Sequence, residues 1–448
     1  MARRIHLLVA FIAFMAALVL QAPGHVPYDG IVVWHEAETG KLYAQHPAAL
    51  VLIWRLCEYL VKGPLLFTAL QLATLFLAAA LIVEKTAAPL SRAIILYGAL
   101  VIFPPFLATS GVTVKDVFGA HLALFAFALA LHAKTRTLWV AAFAAACLAF
   151  LMRYQLGLML AVLGFFLWRQ KVDRASHIVA AICGVALVFV GVRLGVMTLF
   201  VQSGPSDIEQ SLRKVAVFDI AGISVRRPEA DLSALAPKDA GLKAMIARDY
   251  SPVRVDTLWQ GQKGGGTITA QSGVFGLLWQ VPDHTIFATW KLLLLQYPGG
   301  FLAHRNQAFA RVLGFGDLYQ CRPITAGISW LPKVEAAAVG AKAFANPPVT
   351  AVLTSRIFPA GLFLRAFLYV MVLAGIALWR PSPEITALCL FALAYEASFY
   401  LLPQACEVRY SYPVMLSATA ALWLTLARHV TREVEQGGRR KLRNPLYL

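Results

Sequence analysis

The sequence predicts an all-α polytopic membrane protein with about ten transmembrane helices and a mostly helical domain on the outer side. Three observations carry this expectation. Of 448 residues, 59% are hydrophobic and only 14% charged, with a mean hydropathy of +0.67, which exceeds what a soluble core absorbs. The apolar residues gather in runs approaching the roughly 20 needed to cross a hydrocarbon core. The Lys and Arg residues sort by side between those runs. A net charge of +17 therefore calls for no nucleic acid, because in such a chain the position of each cation matters more than the sum.

The runs lie near 5–22, 64–83, 93–108, 117–132, 138–152, 156–168, 177–200, 357–379, 385–402 and 412–428. With Arg3 and Arg4 on the cytoplasmic side, the turns holding Lys85 and Arg92, Lys134 and Arg136, Arg169 with Lys171 and Arg174, and Arg380 fall there too, as does the tail "RHVTREVEQGGRRKLR". Both termini are expected in the cytoplasm. A single helix through 138–168 would reverse this parity, and a hairpin turning at Arg153 is preferred. The first run lacks a small-x-small site before "QAPGHVPYD", so it reads as an uncleaved helix.

This order divides the chain into a transmembrane module, 1–200, with an outer loop at 21–63; an outer domain, 201–356; C-terminal transmembrane helices, 357–428; and a basic tail, 429–448. The turns "TSGVTVKD" and "LPQACEVRYSYP" are also outer. Lys115, Asp116, Arg153 and Arg409 thus share one membrane face with Asp29, Glu36 and Glu38, as a site for a charged lipid headgroup requires. The alternative is solvated loop mouths with snorkelling cations and an ion pair that merely closes a hairpin. Paired with each other, Lys115 and Asp116 would each limit the other's desolvation cost.

Pro47 suits a helix start, and "PAALVLIWRLCEYLVK" reads as a helix lying on the interface, with Leu50, Ile53, Trp54, Cys57 and Leu60 on one face. His46 either contacts a ligand or bonds locally. In the outer domain "IFATWKLLLLQYP" and "GFLAHRNQAFARVLGF" are too short to span and read as surface-lying. "KGGGT" lacks the order of a phosphate loop and reads as flexible. Cys147, Cys183 and Cys389 fall in runs, whereas Cys57, Cys321 and Cys406 face the oxidising side, where Cys321 to Cys406 is one allowed bridge that nothing in the sequence fixes.

The segments "YDGIVVWHEAETGKLYAQHPAALVLIWRLCEYLVKGPLLFTALQ", "FPPFLATSGVTVKD", "AFLMRYQLGLMLAVLGFFLW" and "EVRYSYPVML" together resemble, in order, the outer loops and turns of an uncharacterised branch of the bacterial GT-C membrane glycosyltransferases. The resemblance implies a sugar transfer on the periplasmic face of the inner membrane. The donor would be a polyprenyl-phosphate sugar and the acceptor an envelope lipid, glycan or protein. It implies Asp29 as the base, with Glu36 next in line. Asp116 would orient the acceptor or hold a divalent cation, magnesium or manganese, while Lys115, Arg153, Arg409 and His46 would meet the phosphate or sugar. Two rival classes remain: a lipid-linked glycan flippase, which would place polar features at the midplane, and an O-antigen-type polymerase or ligase.

Overall fold

The computed structural model describes residues 2–42, 46–169, 207–236, 241–260, 273–322, 327–330, 333–344, 361–402 and 405–443. The expected run 177–200, the turn with Lys171 and Arg174, Cys183 and the "KGGGT" loop lie outside these residues. Among the described residues helix is the regular structure, joined by three isolated β-bridges.

The N-terminal helices are α1 (Ala2–Gln21), α2 (Tyr28–Thr39), α3 (Ala48–Leu60), α4 (Leu65–Thr86), α5 (Leu90–Ile102), α6 (Pro104–Thr109), α7 (Lys115–His132), α8 (Arg136–Met152) and α9 (Leu158–Arg169). After them come α10 (Asp207–Arg226), α11 (Gly241–Asp249), α12 (Thr257–Gln260), α13 (Gly273–Leu278), α14 (Asp283–Gln296), α15 (Pro298–Val312) and α16 (Lys333–Ala338). The chain closes with α17 (Ala366–Trp379), α18 (Pro383–Leu401) and α19 (Tyr412–Arg443).

Among the described residues four helices are long and apolar enough to cross a membrane: Arg4–Gln21 of α1, α4, α7 and α18. Within those residues the count of ten is not reached by length alone. Helix α5 has 13 residues and α17 has 14, and at about 1.5 Å per residue each falls short of a ~30 Å core. The expected run 93–108 is broken at Phe103, whose extended backbone (ψ 133°) precedes Pro104 and Pro105, as the residue before a proline prefers. Between α8 and α9 the chain also breaks rather than running through. Arg153 is extended (φ −154°, ψ 124°) and a 3₁₀ turn, Tyr154–Gly157, follows.

One core unites α1 to α9 with α17 to α19. A second core is formed by α10, α11, α13, α14 and α15, around Phe218, Ile220, Ile246, Phe275 and Leu293. It is tied to the first by Arg305 of α15, which donates to the carbonyls of Tyr400 (2.8 Å) and Leu401 at the end of α18, and to Asp219 of α10.

Inside the first core a few polar groups set the helix register. His121 of α7 bridges the Gln71 carbonyl of α4 (2.9 Å) and the Tyr412 hydroxyl of α19 (2.8 Å), while Gln71 donates to the Ser110 and Val112 carbonyls. Each of these groups is buried, so leaving one unpaired would cost about 1–3 kcal/mol. Together they hold the turn before Lys115 and the start of α19 against the same helix.

Helix α3 corrects the expectation about its faces. Leu50, Trp54 and Cys57, expected towards the bilayer, are buried in the protein core. Leu52, Leu56, Tyr59 and Leu60 are exposed. Trp54 stacks between Trp34 and Phe67, at 6.2 and 4.7 Å, so the aromatic side of the helix is held by protein. Glu58 is buried as well and accepts from the Gly63 amide (3.0 Å).

Candidate active site

The loop 21–30 is stitched to the turn 107–114. Gln21 donates to the Leu107 carbonyl (2.9 Å), and the His25 amide to the Gly111 carbonyl (3.0 Å). Both the amide and the hydroxyl of Thr113 donate back to the His25 carbonyl. The His25 ring completes the seam: Nδ1 accepts from the Gly327 amide (3.0 Å) and Nε2 meets Gln21 Oε1 (2.9 Å). One nitrogen must accept, so the ring is neutral, and burial pushes its pKa down to about 4. Next along the chain, Gly30 lets α2 come close to the turn: a Cβ there would lie 2.9 Å from Val26 Cγ1 and 3.1 Å from the Thr113 carbonyl. This contact sets Asp29, in the first turn of α2, beside Lys115, which opens α7.

A narrow cleft with about 10 Å³ of room, enough for about one water, is lined by Asp29, Gly30, Val33, His46, Leu50, Thr113, Val114, Lys115 and Asp116. Three groupings of basic and acidic side chains adjoin it. Arg409 Nη2 donates to Asp29 Oδ2 (2.7 Å) and Arg409 Nε pairs with Glu407. Arg153 pairs with Asp116. His46 Nδ1 meets Glu36 Oε1 at 2.8 Å. Tyr410 joins the first two pairs, its ring lying 4.6 Å from the Arg153 guanidinium and 5.4 Å from that of Arg409, so cation–π attraction holds both arginines to one aromatic group.

Of the seven residues selected from the sequence, Asp29, His46, Lys115 and Asp116 line the cleft, Arg409, Arg153 and Glu36 pair with the first, the last and His46, and two of their expected relations change. The ion pair of Asp116 is with Arg153 rather than with its neighbour Lys115. A helix explains this, because adjacent residues project about 100° apart, whereas Arg153 comes from the chain break facing the first turn of α7. Lys115 acts instead on Asp29. Burial alone raises the Asp29 carboxyl, but Arg409, Lys115 and His46 outweigh it and bring it down to about 2. Glu36 is fully buried behind His46, so it is removed from the cleft surface where a base would meet substrate.

Three carboxylates were not singled out from the sequence. Glu407 forms one arm of the Arg409 pair. Asp256 lies beside Arg254 (3.8 Å), on a segment bridged to Ala405 and bonded to Cys406 through the Val253 carbonyl. Burial, followed by the fields of Glu407 and Asp29, raises its carboxyl, against the pull of Arg254 and Arg322. Glu396, on α18, accepts from the Ser411 hydroxyl (2.7 Å) and so braces the Arg409 turn. An acidic residue inside an apolar run was the available signal for Glu396; Asp256 carried none. The Cys321–Cys406 bridge is present and fastens the segment after α15 to the residue preceding Glu407. Among the described residues no three His, Cys, Asp or Glu side chains gather in a metal-ligating arrangement. Asp116, committed to Arg153, does not fit as a cation ligand.

No family model matches the chain, and no curated protein matches it. Among solved structures, the chain is similar to the Archaeoglobus fulgidus oligosaccharyltransferase in the apo form, at 13% identity and a TM-score of 0.37. The alignment covers 96% of this chain and 52% of that one, so this chain spans about half the length of its neighbour. A likeness of that degree assigns no activity.

Proposed function

We propose that the chain is a membrane glycosyltransferase. It would move a sugar from a polyprenyl-phosphate donor to a hydroxyl of an envelope lipid, glycan or protein, on the outer face of the bacterial inner membrane. The observation that carries the reading is the convergence of Asp29, His46, Lys115 and Asp116 on one cleft, with Arg409 reaching Asp29 from 380 residues away. The Cys321–Cys406 bridge beside Glu407 supports the oxidising side as the location of this end. The resemblance of the loops to GT-C enzymes supports the donor class.

In this reading Asp29 takes the proton of the attacking hydroxyl. The acceptor oxygen bonds to the anomeric carbon, and the bond from that carbon to the phosphate oxygen breaks with its electrons passing to phosphate. Lys115 neutralises the departing charge. A base held near 2 is weak, and the donor itself corrects this. Phosphate bound at Lys115 cancels part of the positive field at Asp29 and so raises its affinity for the proton. Asp116 and Arg153 hold Tyr410, and through it Arg409, in place.

The test is sugar transfer from radiolabelled polyprenyl-phosphate monosaccharides to a membrane lipid extract by protein in nanodiscs. Wild type is expected to transfer one of the donors, and Asp29→Asn to lose at least about 10²-fold. Transfer undiminished in that variant removes Asp29 as base. No turnover of any donor by wild type, with binding retained, overturns the transferase reading in favour of a transporter or a polymerase needing a longer glycan.

A further inference from the structure

Resting on the glycosyl-transfer reading, the geometry points to Asp256 and Arg322 as a binding site for the sugar hydroxyls of a glycan acceptor, on a ledge of the outer domain beside Asp29. The cleft has room for about one water, so the body of an acceptor must be held outside it. A line of charged contacts leads there from the base. Arg409 donates to Asp29 at 2.7 Å and also pairs with Glu407, whose Oε1 lies 3.7 Å from Arg322. Asp256 stands within electrostatic reach of Arg322, Glu407 and Asp29 alike. The segments that meet here are fastened to one another. The Cys406 amide donates to the Val253 carbonyl (2.8 Å), Arg254 is bridged to Ala405, and the Arg254 side chain donates to the Gln320 carbonyl (3.0 Å). The Cys321–Cys406 bridge then sets Arg322 and Glu407 each one residue beyond a bonded cysteine.

Exposure and spacing suit this ledge to a polyhydroxyl ligand. Arg254, Glu407 and Arg409 are almost covered, whereas Asp256 and Arg322 keep 43% and 60% of their side-chain surface accessible. Asp256 stands 3.8 Å from Arg254, and Arg322 3.7 Å from Glu407. Both separations exceed a hydrogen bond, so attraction holds each pair while neither spends a hydrogen bond on itself. A sugar hydroxyl donates to a carboxylate and accepts from a guanidinium, and neighbouring hydroxyls on one ring do both at once. A lipid chain does neither. The direction of approach favours the acceptor over the donor sugar. Lys115 and His46 face Asp29 from the cleft, where the donor phosphate is placed, and an in-line displacement puts the attacking oxygen on the far side of the anomeric carbon from that phosphate. The ledge lies beyond Arg409, away from Lys115. Asp256 and Arg322 are therefore binding residues, which hold the acceptor while one of its hydroxyls meets Asp29.

The experiment uses the full chain in nanodiscs with the donor turned over in the assay above, and varies the amount of membrane lipid extract. Asp256→Asn and Arg322→Gln are each expected to raise the extract concentration for half-maximal transfer by about tenfold or more, the weight of one charged hydrogen bond, with kcat and donor KM changed little. Periodate, which cleaves the vicinal diols of sugars, should abolish the extract as acceptor. Half-saturation unchanged in both variants overturns the proposal, and so does an extract that survives periodate. A raised donor KM with half-saturation by extract unchanged assigns the ledge to the donor sugar and overturns the acceptor role. A fall in kcat alone makes the two residues structural and overturns it as well. If wild type turns over no donor, the transferase reading fails, and retention of the extract's glycolipids on the immobilised nanodiscs decides the ledge by itself: retention lost in the variants upholds sugar binding there, and equal retention overturns it.

Discussion

The two ends of the helix bundle treat charge in opposite ways. At the Asp29 end, Glu36, Asp116 and Arg409 are buried, and their partners come from segments tens to hundreds of residues apart. At the other end Arg169 and Arg428 share Glu384 with side chains 41%, 48% and 29% exposed, and Lys85 and His132 bond the carbonyls of Leu131 and Leu81. Buried pairs are expensive to assemble and costly to break, whereas exposed ones are nearly neutral. An end that is merely solvated has no need of the first kind. The contrast accords with the proposed site.

Breaking one arm of the buried network should have the largest effect. Arg153→Met leaves Asp116 buried without its partner and frees Tyr410, so a loss of about 3–5 kcal/mol in stability is expected, visible as a lowered Tm in detergent. Adding Asp116→Asn should recover most of it, because the pair rather than either charge is what the fold tolerates. A double variant as unstable as the single one would show that Arg153 acts mainly through Phe399 and Tyr410, which its guanidinium also covers.

A smaller effect is expected at the seam behind the cleft. Folded His25 is neutral with its pKa lowered to about 4, against 6.5 when exposed. The unfolded chain therefore binds the extra proton first. The stability due to the neutral ring is complete above about pH 6.5 and is lost as pH falls towards 4, by about 2 kcal/mol between pH 7 and pH 5. Melting curves at the two pH values should show this in wild type and less of it in His25→Asn. An equal pH response in both proteins would assign it elsewhere.

The smallest effect is expected at the opposite end. Glu384→Gln should change stability by less than about 1 kcal/mol and leave transfer activity unchanged. A large loss there would erase the contrast between the ends.

Much of the fold was legible in the residues. Helix starts follow Pro47, Pro64, Pro89 and Pro282, where a missing amide costs little, and the chain breaks at Arg153 where two short helices were preferred to one long one. The cleft residues were legible because ionisable groups beside apolar runs stand out. Asp256 did not stand out, since it sits in a polar stretch where one more acid means nothing until Val253 bonds Cys406.

By itself the sequence determined that this is a helical membrane chain, where its apolar segments fall, and which charges cluster between them. These depend on composition and spacing along the chain. Only the tertiary structure decided the partners: Arg153 for Asp116, Arg409 for Asp29, His46 for Glu36, Cys406 for Cys321, and the protein core rather than lipid for Trp54. Hydrophobic spacing shows that a helix has an apolar face, but lipid tails and a protein core are equally apolar. Which of them receives α3 is settled by Trp34 and Phe67 stacking on Trp54, contacts that exist once the chain has folded.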